Sequence, residues 1–247
     1  MMEKKKDAMG EAIADYWKNG MADRLRVFSP MFEEDEIPVK TLFRSLEDMP
    51  ELELLALKQA KGRTLDVGAG AGCHALALQE MGVEVSAIEI SPLAAETMKE
   101  RGVRSVVQED VFEHKGKYDT ILMLMNGIGI VGTLDKMKDF FALLDRIMLP
   151  GGQLLCDSSD IAYVFEDEEG VLEIPLTERY YGELQYRMQY KEVVGEPFDW
   201  LYIDAETLKE QAAQYGYRTE IIAEGPHYDY LARITRNDGA ARGTIKD

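Results

Sequence analysis

Three groups of residues have types and spacing suited to holding a ligand. The first is Asp66-Val-Gly-Ala-Gly-Ala-Gly72, in which Gly68, Gly70 and Gly72 alternate with alanines after an acidic residue. Glycine reaches positive φ and, having no Cβ, lets the backbone approach a bound molecule closely. The second is Glu89, in Ala87-Ile-Glu-Ile-Ser-Pro92. It lies about 20 residues after the loop begins, where a carboxylate accepts bonds from ribose hydroxyls. The third is Asp110, in Gln108-Glu-Asp-Val-Phe112. Each group has a plainer explanation: a packing turn, a solvated strand end and a helix N-cap. The surrounding elements decide between them.

From Thr64 onward, short apolar runs alternate with amphipathic ones. The pattern predicts strands over Thr64–Val67, Val83–Ile90, Arg104–Gln108, Tyr118–Met125 and Gln153–Asp157. Helices are predicted over Cys73–Met81, through Ala94–Glu100 and over Leu134–Ile147. Strands alternating with helices imply right-handed crossovers and a mostly parallel sheet covered on both faces. The three groups then fall at the carboxyl ends of adjacent strands, where open α/β sheets bind ligands. The helix from Cys73 also points unpaired N–H groups and a positive dipole end at the glycine loop. Three coincidences at the correct strand ends favour a binding site.

The flanks read differently. Residues 10–61 are expected to be helical in two or three pieces, broken at Pro30 and Pro38, with Pro50 opening a helix through Glu51–Lys58. Residues 1–61 are therefore set apart as a helical segment and 62–236 as the α/β domain. Within that domain, 161–203 is expected to be an antiparallel insertion, because Glu183–Val194 alternates like a strand. A helix, Ala205–Tyr215, follows. Arg218–Ala223 and Tyr228–Ile234 flank Glu224-Gly-Pro-His227 as a closing hairpin, and 237–247 reads as a frayed tail.

Composition narrows the function. The 247 residues are 46% hydrophobic and carry 46 acidic against 28 basic side chains, a net charge of -18. Such a surface repels phosphate backbones, which disfavours a nucleic-acid partner. It attracts cations, or simply keeps the protein in solution. Cys73 and Cys156 lie in apolar segments and fit a reducing compartment. No apolar core follows the first charged residues, and no run nears the roughly 20 residues a membrane span needs; the expected location is the cytoplasm. His74 adjoins Cys73, but helical neighbours point about 100° apart, so they form no catalytic pair. His114 and His227 are expected at the surface. No metal-ligand spacing is present, and Glu166–Glu169 reads as a solvated loop.

The glycine spacing departs from the dinucleotide fingerprint G-x-G-x-x-G, because Cys73 stands where its last glycine would be. Asp66–Gly72 instead resembles the first motif of the class I S-adenosylmethionine-dependent methyltransferases, small-molecule type. The resemblance extends to Glu89, Asp110 and the strand-five signature Leu149-Pro-Gly-Gly-Gln-Leu-Leu155. It covers Lys61–Cys156 well and reaches Ile234 more loosely. It implies a doubly wound, seven-stranded, mostly parallel α/β sheet of the Rossmann-like kind, with an antiparallel final strand and an N-terminal helical lid. It also implies S-adenosyl-L-methionine as methyl donor and S-adenosyl-L-homocysteine as product. Gly68, Ala69, Gly70 and Gly72 would lie under the methionine part, with Asp66 near its amino group. Glu89 would bind the ribose and Asp110 the adenine amino group. The Val111 backbone would frame the ring between Ile90 and Phe112, and Met125 and Asn126 would sit beside the methyl.

Methyl transfer from a sulfonium is an in-line displacement, in which the protein aligns the reactants and excludes water. A general base is needed only if the nucleophile must lose a proton, so no catalytic residue is singled out. Asn126-Gly-Ile-Gly129 lacks the Pro-Pro-aromatic sequence of base- and amide-N-methylating relatives, and that chemistry is not supported. Candidates for a small-molecule acceptor are Tyr16 and Trp17, the run Asp157-Ser-Ser-Asp160, Tyr163, and the insertion aromatics Tyr186 and Trp200. For any one of these, core packing or solvation is a better explanation than contact with substrate. A nicotinamide-dependent oxidoreductase and a non-catalytic cofactor-binding module remain the alternatives.

Overall fold

Strands buried on both faces read as short, mostly apolar runs; in Thr64–Val67 all four residues are buried, Leu65 and Val67 beside the two polar exceptions Thr64 and Asp66. The structure, a computed structural model, describes residues 6–166 and 179–237. The N-terminal charged run up to residue 5, most of the acidic run 166–169 and the tail beyond Asn237 lie outside these. In chain order the elements begin with α1 (Ala8–Asn19), β1 (Leu25–Phe28), β2 (Asp35–Ile37) and α2 (Glu51–Gln59). Then come β3 (Thr64–Val67), α3 (Cys73–Glu80), β4 (Val85–Glu89), α4 (Pro92–Glu100) and β5 (Val106–Gln108). Next are β6 (Tyr118–Met123), α5 (Met137–Ile147), β7 (Met148–Ser159), β8 (Glu183–Tyr190) and β9 (Val193–Val194). The chain closes with β10 (Phe198–Leu201), α6 (Ala205–Gln214), β11 (Tyr217–Glu224) and β12 (Asp229–Arg236).

The main sheet has seven strands in the order β11-β12-β7-β6-β3-β4-β5. From β7 to β5 all pairs are parallel, while β12 is antiparallel to both of its neighbours. This is the doubly wound sheet with its antiparallel final strand. The chain leaves β3 toward β5 on one side and returns through β6 toward β12 on the other. The switch point lies between β3 and β6, where such sheets open a crevice at the carboxyl ends. Leu65, Ile121, Phe140, Phe141, Leu144 and Leu154 pack one face of the sheet, and Leu78, Ala87 and Met98 pack the other.

A second sheet, β10-β8-β1-β2 with β9 paired to β8, stands over that crevice. Sequence reading expects residues 10–61 to be helical, yet 25–28 and 35–37 are strands. They form because β1 finds β8, with Leu25 opposite Tyr190 and Val27 opposite Met188. The antiparallel insertion thus shares one sheet with the N-terminal segment. Helix α1 is fastened to α4 by Asp7, which caps its own helix through Gly10 N at 2.9 Å and accepts a bond from Ser91 Oγ at 2.6 Å. His114, expected at the surface, is buried; its Nε2 lies 2.8 Å from the Tyr118 hydroxyl.

Candidate active site

At the end of β3 the chain turns through Gly68, Gly70 and Gly72, each at positive φ. Gly70 faces open space in the cleft, so a Cβ there would take the place of a ligand. Gly72 is glycine for a different reason: a Cβ would press to 2.9 Å on Met98 and Val103, and the residue does not line the cleft. Here the missing Cβ makes room for helix packing.

Glu89, at the tip of β4, is held beside the loop. Its two carboxylate oxygens accept bonds from Gly70 N at 2.9 Å and Ser91 N at 3.0 Å. Burial raises its pKa above the ordinary value, against those same bonds. Asp66 is buried at 1% exposure, and its Oδ2 has no hydrogen-bond partner among the described residues. Burial pushes its pKa up to about 6, opposed by the charge of His74 and the Ala75 N–H. A buried carboxylate oxygen without a donor is costly, and a cationic ligand group satisfies it. Asp110 is exposed at the cleft and caps the turn after it, with Phe112 N donating to its Oδ1 at 2.9 Å. The N-cap role and a cleft position coexist.

The loop after β6 forms the opposite wall. Met125 and Asn126 both have positive φ, at 65° and 55°. Non-glycine residues pay for that backbone, and their surroundings must hold it. Asp157 does so: its oxygens accept from Met125 N at 3.0 Å and Gly127 N at 3.1 Å. Burial raises its pKa to about 6. The Asn126 side chain is engaged as well, accepting from Ser158 Oγ at 3.1 Å and donating to Leu201 O.

One cleft of about 1430 Å³ joins these walls to the overlying sheet. Lining it are Asp66, Gly68, Ala69, Gly70, Glu89, Ile90, Asp110, Val111, Phe112, Met125, Asn126 and Tyr163. Tyr186 and Trp200 also line it. Gly72, Tyr16, Trp17 and the run 157–160 do not. Tyr16 packs on Phe43 with ring centroids 4.6 Å apart, and Trp17 donates to Glu100 Oε2 at 2.8 Å. Asp157 sits behind the loop it braces. Sequence reading missed Asp7, Arg44 and Glu53, the last two of which form a buried cluster with His74 next to Asp66. Glu53 accepts from Arg44 and lies 2.7 Å from His74 Nε2. Burial pushes Glu53 up, but these partners outweigh it and hold its pKa below the usual range. An N-cap aspartate before Ala8 was the only signal for Asp7; nothing local marks Arg44 or Glu53. Among the described residues no group of His, Cys, Asp and Glu is arranged to hold a metal ion.

The fold and the glycine–carboxylate site together define a nucleoside-binding α/β enzyme, and the comparisons agree. A family model described as a methyltransferase domain matches residues 40–220. A SAM-dependent methyltransferase from Bacteroides fragilis, solved in complex with S-adenosyl-L-homocysteine, is 55% identical with a TM-score of 0.91, covering 96% of this chain and 98% of that one. The CcbJ methyltransferase from Streptomyces caelestis aligns at 14% identity and TM-score 0.61, covering 96% and 100%. An amino pentose methyltransferase from Micromonospora echinaspora aligns at 17% and 0.51, covering 78% and 90%. These last two share the fold alone. No curated protein matches significantly. This chain belongs to the SAM-dependent methyltransferases. The nicotinamide alternative finds no support in that family.

Proposed function

We propose that the protein binds S-adenosyl-L-methionine in the β3–β4–β6 half of the cleft and transfers its methyl group to a small molecule held under the second sheet. The observation that carries the reading is the pairing of an unsatisfied buried oxygen on Asp66 with Glu89 locked against Gly70. Asp66 would take the amino group of the methionine part, and Glu89 the ribose hydroxyls. Asp110, with the Val111 backbone, would take the adenine between Ile90 and Phe112. When bound, the cofactor supplies an electrophilic methyl on a sulfonium.

The remaining work falls to the chain itself. The braced loop Met125–Gly127 fixes one wall of the reaction space, so the acceptor is oriented by a surface that does not yield. The N-terminal segment, 1–61, and the insertion, 161–203, act together as the cap that excludes water. A wet, exposed cleft is a poor place for in-line alignment, and closing it strengthens every electrostatic contact inside. The surplus of carboxylates disfavours a nucleic-acid acceptor. The buried free thiols Cys73 and Cys156 support a cytoplasmic setting, and no described helix is long and apolar enough to cross a membrane. A methyl-labelled cofactor incubated with fractionated metabolite pools tests the reading. Label is expected in a low-molecular-weight product, with one S-adenosyl-L-homocysteine formed per methyl moved; label confined to protein or nucleic acid would contradict it.

A further inference from the structure

The cleft is larger than a single ligand needs. Its volume, about 1430 Å³, exceeds the roughly 300–1000 Å³ of ordinary small-molecule sites. The half away from the glycine loop is roofed by one face of the second sheet. Directly opposed residues in antiparallel strands share a face, and so do alternate residues along a strand. Tyr186 pairs with Phe198, Trp200 with Leu184, Met188 with Val27, and Val27 with Asp35. All of these line the cleft. The roof is therefore aromatic and aliphatic, with one carboxylate, Asp35, at its edge. Trp200 lies against the backbone of Gly129, where a Cβ would collide with the indole. The aromatic roof thus reaches the loop that follows β6.

The charges in the cleft are one-sided. Lys6 is the one lysine or arginine among the described lining residues, and it pairs with Glu196. Glu34 is matched by Arg26 and Asp199 by Lys136. Asp35 has no ion pair among the described residues; its Oδ1 accepts only from the neighbouring Glu36 N, at 2.7 Å. An acceptor bearing a carboxylate or phosphate would find no free cation here. An ammonium group would find both Asp35 and aromatic faces, which attract cations through their quadrupoles.

Resting on the donor reading above, we propose that the roof formed by Tyr186, Phe198, Trp200 and Asp35 is the acceptor subsite, and that it takes a hydrophobic primary or secondary amine for N-methylation. The amine arrives as an ammonium ion and gives one proton to a facing carboxylate, which passes it to solvent. The freed lone pair on nitrogen forms the new N–C bond as the methyl C–S bond breaks. The C–S bonding pair stays on sulfur, leaving a neutral thioether, and the methylated nitrogen carries the positive charge. The Tyr186 hydroxyl, raised by burial and by its neighbours Tyr202 and Asp35, stays protonated and serves as a wall, not a base.

The test uses the full chain saturated with S-adenosyl-L-homocysteine and three probes of similar shape: phenethylamine, 2-phenylethanol and 3-phenylpropanoate. Calorimetry should show phenethylamine binding at least tenfold more tightly than the alcohol, with the carboxylate weakest. Asp35→Asn should cut the amine-over-alcohol preference at least threefold while leaving S-adenosyl-L-homocysteine affinity unchanged. With labelled cofactor, phenethylamine should yield an N-methyl product. Normal S-adenosyl-L-homocysteine binding with equal or reversed probe preference would overturn this proposal and leave the donor reading standing. Absent S-adenosyl-L-homocysteine binding would overturn both.

Discussion

At the residue scale, Asp66 shows how a site is built at the expense of stability. Its pKa, about 6 against an ordinary 3.8, means that burial penalises the ionised form. The sign follows. A group whose folded pKa is raised contributes stability fully below its unfolded pKa and loses that contribution as pH rises through about 6. At pH 7.5 the ionised Asp66 therefore costs the free protein on the order of 1–3 kcal/mol. Asp66→Asn should raise the melting temperature of the unliganded protein by about 2–12 °C, measured by calorimetric scanning at pH 7.5. The same variant should weaken S-adenosyl-L-homocysteine at least tenfold, and wild-type affinity should decline as pH is lowered through 6. A neutral or lower melting temperature in the variant would refute the burial argument. Asp157 has a similarly raised pKa but a different task. Asp157→Ala strands the N–H groups of Met125 and Gly127, each worth about 1–3 kcal/mol when buried and unpaired. It should lower both stability and cofactor affinity, whereas a residue in direct contact with the acceptor alone would leave the melting temperature in place. Asp157 lay among the acceptor candidates by sequence because a strand-end carboxylate looks the same whether it meets a ligand or a loop.

At the element scale, the central strands were legible because their burial is local in origin: each is a short apolar run between turns. The second sheet was only half legible. Glu183–Val194 alternates plainly, but Asp35-Glu-Ile37 carries two residues depleted in strands. Its pairing is set by β1, which depends in turn on β8, more than 150 residues later. No local pattern encodes such a partner. Tyr16 and Trp17 were sensible lid candidates on an N-terminal helix. However, α1 presents its first turn to the cleft, through Asp7, Ala8 and Met9, and its last turn to Phe43 and Glu100. The clamp at that first turn makes an unusual prediction. Gly→Ala in a helix normally gains up to about 1 kcal/mol. At Gly10 the added Cβ meets the Asp7 carboxylate and Ser91 Oγ, so Gly10→Ala should instead destabilise the protein in urea titration. Asp7→Ala should cost about 0.5–2 kcal/mol through the lost cap, and more if the Ser91 hydroxyl is left without its acceptor.

At the scale of the whole molecule, the fold places its switch point between β3 and β6 and sets the cap sheet over it. The glycine-loop half of the cleft was legible in advance because it depends on backbone turns and strand-end carboxylates, which leave a spacing in the chain. Gly72 belonged to that spacing and yet serves packing against Met98 and Val103. The opposite half of the cleft was legible only in part: Tyr163, Tyr186 and Trp200 were candidates by sequence and do line it, but Val27 and Asp35 were not, because that roof is assembled from strands distant in sequence. Ligand binding to the folded state alone should stabilise the whole chain: about 2.7 kcal/mol at a hundredfold excess over Kd. The central claim, that this cleft holds the cofactor through Glu89, is tested most directly by titrating S-adenosyl-L-homocysteine into the wild-type protein and into Glu89→Ala by calorimetry. Losing a carboxylate that accepts ligand hydroxyls removes hydrogen bonds worth about 1.5–3 kcal/mol. The account predicts saturable one-to-one binding to wild type and an affinity roughly 10–100-fold weaker in the variant. No binding to wild type at millimolar ligand, or equal affinity in both proteins, would contradict it.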